Sequence, residues 1–162
     1  GQAVDLPRGV AGEYGRLREL ATAAGDARTL RELAAIGPPP FSDRGQTGVF
    51  FQCTERYQAP ADSAALGELR RSLLSPPPNY GLGDEWHRLR GFMVVPPWDL
   101  YREILATTLK TRARDFAVPV FVIQGTEDHV TPLALVEEYL ATVVAPRKEL
   151  VRLPGGGRFA VW

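Results

Sequence analysis

The sequence predicts an α/β chain in which a mostly helical region is followed by a strand–helix–strand piece of a parallel sheet. Three observations carry this. From about residue 13 to residue 109, apolar residues recur at helical spacing and proline clusters supply the breaks. Residues 118–123 are instead a continuous apolar run of strand length, the pattern of a strand buried on both faces of a parallel sheet. Beyond them, an amphipathic helix and the stretch Lys148–Leu153 complete one unit, whose crossover should be right-handed. The division falls between residues 1–112 and 113–162.

Each element has a local cause. Tyr14, Leu17, Leu20, Ala21 and Ala24 line one side of a first helix, and Gly25 suits its stop. Asp26 can cap a second helix carrying Leu30, Leu33 and Ala34. Gly37 and the ring-locked Pro38, Pro39 and Pro40 end it. Residues 48–57 read as a helix, although Val49, Phe50 and Phe51 also suit a strand. Residues 62–74 form a better one, with Ala65, Leu66, Leu69 and Leu73 on one side and Pro76, Pro77 and Pro78 closing it. Shorter helices are expected over 84–90 and 98–109. In the second region Gln124 and Gly125 bound the strand. Thr131 is the expected N-cap and Pro132 the first residue of the next helix. Leu135, Val136, Tyr139, Leu140 and Val143 give its apolar side, and Pro146 ends it.

Bulk properties exclude several function classes. Nineteen basic residues balance nineteen acidic ones, so no excess charge favours nucleic acid or a membrane surface, and no self-repulsion opposes association. Cys53 is the single cysteine, which rules out an internal disulfide or a cysteine-rich metal site. A reduced thiol in a helix fits a cytoplasmic location. No apolar run approaches the roughly 20 residues of a membrane span, and the start has no signal-like pattern. The first residue is Gly1 and the single methionine is Met93, so further sequence upstream is expected.

The run from Val118 through Gln124-Gly125-Thr126-Glu127-Asp128-His129-Val130-Thr131-Pro132 resembles the seventh strand and acid loop of an α/β-hydrolase. Together with Pro38-Pro39 and the closing Pro154-Gly155-Gly156-Gly157-Arg158-Phe159, it is similar to the proline iminopeptidase-like serine hydrolases in particular. The resemblance covers nearly the whole chain and is strongest over residues 118–162. It implies a helical lid over 1–112 and a C-terminal core segment over 113–162. It also implies peptide, amide or ester hydrolysis of small-molecule or short-peptide substrates, without a cofactor.

In that family a serine, an acid and a histidine follow in chain order. The acid position falls on Asp128, where a loop at the carboxyl end of a strand can orient an imidazole. The histidine position falls on Arg158. A guanidinium offers only donors and keeps its proton, so it cannot serve as the base; an ion pair with Asp128 is its expected role. The serine belongs on a G-x-S-x-G elbow, and Ser42, Ser63, Ser72 and Ser75 all lack the flanking glycines.

The remaining candidates read more simply. His129 suits a loop and His87 a lid surface. The triple glycine at 155–157 lacks the lysine of a phosphate-binding loop. Trp86, Trp98 and Phe92 suit lid core better than pocket wall, and Arg70, Arg71, Arg88 and Arg90 suit solvated faces. Glu13, Glu55 and Glu85 are candidates for the amine-binding acids that the resemblance implies. Two function classes therefore stand: a segment of a serine hydrolase, inactive as this chain unless another chain brings the serine, and a non-catalytic protein that assembles with itself or with a partner, for example as a homodimer through exposed strands.

Overall fold

A computed structural model describes residues 4–58, 62–65, 67–68, 71, 75, 81, 83–84, 86–87, 90 and 98–158. Among these, α1 spans Leu6–Ala23, α2 Ala27–Ile36 and α3 Arg44–Arg56. Further along are α4 (Trp98–Ala106), α5 (Leu109–Arg112), β1 (Val120–Gly125), α6 (Leu133–Thr142) and β2 (Lys148–Leu153). β1 and β2 pair in parallel, with Val120 opposite Lys148 and Gly125 opposite Leu153. The chain is therefore α/β, with helices preceding a strand–helix–strand unit.

Local chemistry explains the helix ends. Asp26 Oδ1 accepts from the Thr29 N–H at 3.0 Å, while Gly37 closes α2 at φ 69°. Asp43 caps α3 by accepting from the Gln46 N–H at 2.9 Å. The ambiguous Val49, Phe50 and Phe51 are thus helical. Lys148 Nζ donates to the carbonyls of Leu140 and Val143 at 2.7 and 2.9 Å, which satisfies the carbonyl end of α6.

Several boundaries depart from expectation. The first helix begins at Leu6, before Glu13, with Pro7 in its opening turn, where a missing N–H costs nothing. The helix expected over 98–109 stops at Ala106, because extended Thr108 bridges Asp5 and the Leu109 N–H bonds to Val4 O at 2.8 Å. β1 runs two residues later than its apolar run. Pro119 has no N–H to give, and pairing starts where Val120 N donates to Arg147 O at 2.8 Å. Pro132, not Thr131, is the N-cap of α6. The Thr131 hydroxyl is committed to Asp128 instead, at 2.6 Å. The expected helices at 62–74 and 84–90 lie partly outside the described residues; their described positions are helical.

Among the described residues, two apolar clusters hold the chain together. The helical one gathers Leu6, Val10, Tyr14, Leu17, Leu33, Phe41, Phe50 and Cys53. The second packs Leu135, Val136, Tyr139, Leu140 and Val143 beneath Val122 of β1. Each borrows from the other half: Val130 belongs to the helical cluster and Val4 to the sheet cluster. Burial was expected on both faces of β1, yet Phe121 and Ile123 are 55% and 45% exposed. They point away from α6, the helix whose apolar residues pack on Val122. The apolar run thus carries the residues for two covered faces while α6 covers one.

Polar ties supplement the clusters. Glu138 of α6 accepts from Arg8 of α1 at 2.8 Å and from Lys110 of α5 at 2.6 Å. The Arg8 hydrogen bond, then that of Lys110, draws its carboxyl down to about 2. Because the folded value lies below the unfolded one, near 4.5, this contribution is present above pH 4.5 and fades as the pH falls toward 2. Glu138→Gln should flatten the acid limb of a stability–pH curve across that window, as followed by circular dichroism.

Helix α1 approaches the loop after β1 very closely. A Cβ on Gly9 would lie 2.0 Å from the Val130 carbonyl oxygen, whereas one on Gly12 or Gly15 would meet nothing within 4 Å. Gly12→Ala should therefore stabilise by about 0.5–1 kcal/mol through helix propensity. Gly9→Ala should destabilise by about 1–3 kcal/mol through overpacking despite the same propensity gain. Denaturant melts of the two variants give opposite signs on this account.

Candidate functional site

At the carboxyl ends of the parallel pair, two loops meet. The first, residues 126–132, follows β1; the second is the glycine turn after β2. Thr126 N donates to Leu153 O at 3.1 Å and Glu127 N to Gly156 O at 2.8 Å. Gly155 N donates to Thr126 Oγ1 at 3.0 Å. Two glycines make the contact sterically feasible. Gly155 takes φ 69°, and a Cβ on Gly125 would stand 2.3 Å from Gly156 O.

Asp128 sits inside this junction, 2% exposed. Its Oδ1 accepts from the N–H groups of Val130 and Thr131 at 3.1 and 2.8 Å. Its Oδ2 accepts from Thr131 Oγ1 at 2.6 Å and, more loosely, from Gln124 Nε2 at 3.4 Å. Gln124 is itself fixed by donating to Thr131 O at 2.8 Å. A carboxylate this buried requires such donors, since burial without them would be costly. The arrangement folds residues 128–131 into a tight turn and aims α6 back along the sheet.

Arg158 enters the same region from the glycine turn. Its N–H donates to Asp62 Oδ2 at 3.0 Å, and its guanidinium lies 5.2 Å from the centre of the Phe51 ring, within cation–π range. Asp62, 6% exposed, fills the space beside Gly157, where a Cβ would come within 1.9 Å of its carboxylate. The loops bearing Asp128 and Arg158 are thus joined backbone to backbone, while the two side chains take the partners just named. Asp62, Gln124 and Phe51 were not singled out from sequence. For Asp62 no local pattern exists, since its contact spans 96 residues.

Other candidates fall elsewhere. His129 is 43% exposed in its side chain, with Nε2 at 3.9 Å from Glu127 Oε2; His87 is exposed. The Ser42 hydroxyl donates to Gln46 Oε1 at 2.9 Å and that of Ser75 to Arg71 O at 3.0 Å. Ser63 Oγ accepts from Gln58 Nε2 at 3.2 Å. None of these contacts gives a serine a histidine base. Glu13 is buried and doubly bonded to Arg16 at 2.6 and 2.7 Å, so its carboxylate is already matched by a cation; Glu55 is exposed. Arg71 pairs with Glu68 at 2.7 Å on an exposed face, and Arg90 is also exposed.

Trp86, read as lid core, is 61% exposed, because every described residue of 83–90 faces solvent. Arg70, Ser72, Glu85, Arg88, Phe92 and the Trp98 side chain lie outside the described residues. Cys53 is fully buried and burial pushes its thiol up to about 11, which makes it a poor nucleophile. Among the described residues, no group of His, Cys, Asp or Glu side chains could hold a metal ion, and no helix is long and apolar enough to cross a membrane.

Compared with protein-family models, with curated proteins and with solved structures, the chain matches none.

The donors around Asp128 give a direct test of its place in the fold. Thr131→Val removes the hydroxyl but keeps the volume, and should cost about 1.5–3 kcal/mol because the bond serves a buried charge. Urea denaturation with an unchanged slope would register that loss. An effect within about 0.5 kcal/mol, the level of an ordinary surface change, would contradict the described geometry.

Proposed function

We propose that this chain is a lid and C-terminal core segment of the α/β-hydrolase kind, resembling the proline iminopeptidase-like serine hydrolases, and is catalytically silent by itself. The observation that carries this reading is the buried Asp128 carboxylate, in the loop directly beyond the carboxyl end of a parallel strand. That is where open α/β sheets collect their functional groups. In such a reading Asp128 corresponds to the acid that orients a base, and Arg158 occupies the place of the base. The reaction class of the family is acyl transfer to water from a small amide, peptide or ester.

Chemistry limits what these residues can do without help. Arg158 is a permanent donor and cannot take a proton from a hydroxyl. The sequence holds no G-x-S-x-G elbow, and the described serine hydroxyls are engaged with amides and carbonyls. The role left to the junction is structural: it sets the position of residue 158 relative to the acid loop. Proline p-nitroanilide and p-nitrophenyl acetate should show no turnover above buffer with the purified chain, and Arg158→His should not raise it. Saturable turnover by either protein would overturn the proposal.

A second reading, self-association, is favoured by one observation. Phe121, Ile123 and Val151, 55%, 45% and 40% exposed, share a face of the sheet opposite α6. Parallel strands are ordinarily covered on both faces. Light scattering after size exclusion should detect a concentration-dependent dimer that Ile123→Lys shifts to monomer. A wild-type chain that stays monomeric at high concentration rejects this second reading.

A further inference from the structure

A cavity of about 290 Å³ opens between α1, the proline-rich turn after α2, and α4. It lies on the helical side of the chain, outside the Asp128 junction. Pro7 and Val10 form one wall, Pro39 and Phe41 a second, and Leu105 a third. Its size is at the lower end of small-ligand pockets, roughly 300–1,000 Å³. Two of these walls are firmly built: Val10 and Phe41 are 3% and 7% exposed, and Phe41 packs on Phe50 with ring centres 5.2 Å apart. Proline rings on two walls restrict backbone torsion, so little freedom remains to be lost when the space fills.

Among the described residues of this lining, Arg102 is the charged one, and it is exposed. An apolar chamber beside a guanidinium matches one ligand chemistry: an aliphatic tail that ends in a carboxylate. The tail would bury against Val10, Phe41 and Leu105 while the head stays hydrated beside Arg102. Arg102 has a protein contact of its own, but a guanidinium has several donors in a planar fork and can serve a second acceptor. Neutral tails fill the same space without using the charge, and cationic ones meet repulsion.

We propose that this cavity is a binding site for a free medium-chain carboxylate, anchored by Arg102 and received by the wall of Val10, Phe41 and Leu105. The proposal is independent of any hydrolase reading, since none of its residues belongs to the Asp128 junction.

Octanoate, octanol and octylamine titrated into the intact chain test it, with the Val10 and Leu105 methyl resonances as the readout. Octanoate should shift both saturably and bind about fivefold tighter than octanol, the scale of an exposed ion pair. Octylamine should bind weakest. Arg102→Gln, at an exposed position, should reduce octanoate to the level of octanol and leave octanol unchanged. Ala106→Trp, which adds a ring at the rim, should weaken both. Equal affinity for octanoate and octanol in the wild type would overturn the proposal, and so would octanoate binding unchanged in Arg102→Gln. Shifts confined to the exposed Phe121 and Ile123 face would overturn it as well.

Discussion

The close approach of α1 to the loop after β1 is the constraint on which the rest of the structure depends. Gly9 has no Cβ, and that absence lets the Val130 carbonyl lie against the helix. Val130 can then point into the helical cluster while its own N–H is held by Asp128. One loop is thus gripped from two sides, apolar packing on one and a buried carboxylate on the other. A buried charge confers geometry rather than net stability, and a single valine contributes only a small part of a core.

The same constraint explains why residues 1–112 and 113–162 share their interiors. Val4 reaches the sheet cluster because Asp5 bridges Thr108 and the Leu109 N–H bonds to Val4 O. Glu138 reinforces the seam by joining α1, α5 and α6 through Arg8 and Lys110. Those two ion pairs are solvent-exposed, so they are screened by salt and fix orientation more than they add stability. The apolar exchange of Val4 and Val130 is the stronger tie, because it removes both side chains from water.

Much of this architecture is legible in the sequence where its causes are local. Asp26, Gly37 and the apolar side of α6 announce themselves by type and spacing. Failures come where a competing partner decides, whether near or far along the chain. Thr131 looks like a cap because Pro132 follows it, but the carboxylate at Asp128 captures its hydroxyl. Residues 98–109 keep a helical pattern through Thr107 and Thr108, and only the bridge to Asp5 breaks it. At the junction, Asp128 stands out in the sequence as a carboxylate just beyond an apolar strand-length run, whereas Asp62 and Phe51 arrive beside Arg158 from positions that carry no such cue. Long-range contacts have no sequence period, and so no periodic signal discloses them.

The sheet itself shows how a residue pattern can outrun the structure it sits in. Val120, Val122 and Gln124 face α6, and Phe121 and Ile123 face solvent. Alternation of apolar and polar residues would have sufficed for one covered face. The strand carries apolar residues on both, and Val151 of β2 continues the open side opposite Ile123. Arg147 partly shields that face by lying 5.4 Å from the Phe121 ring while its guanidinium bonds to Glu149 at 2.8 Å. This cation–π contact covers part of the Phe121 ring, while Ile123 and Val151 stay 45% and 40% exposed. The residue pattern is therefore the one ordinarily found in strands covered on both faces, while α6 covers one. Covering the second face, by further sheet architecture or by another copy of the chain, would remove the main apolar exposure of β1.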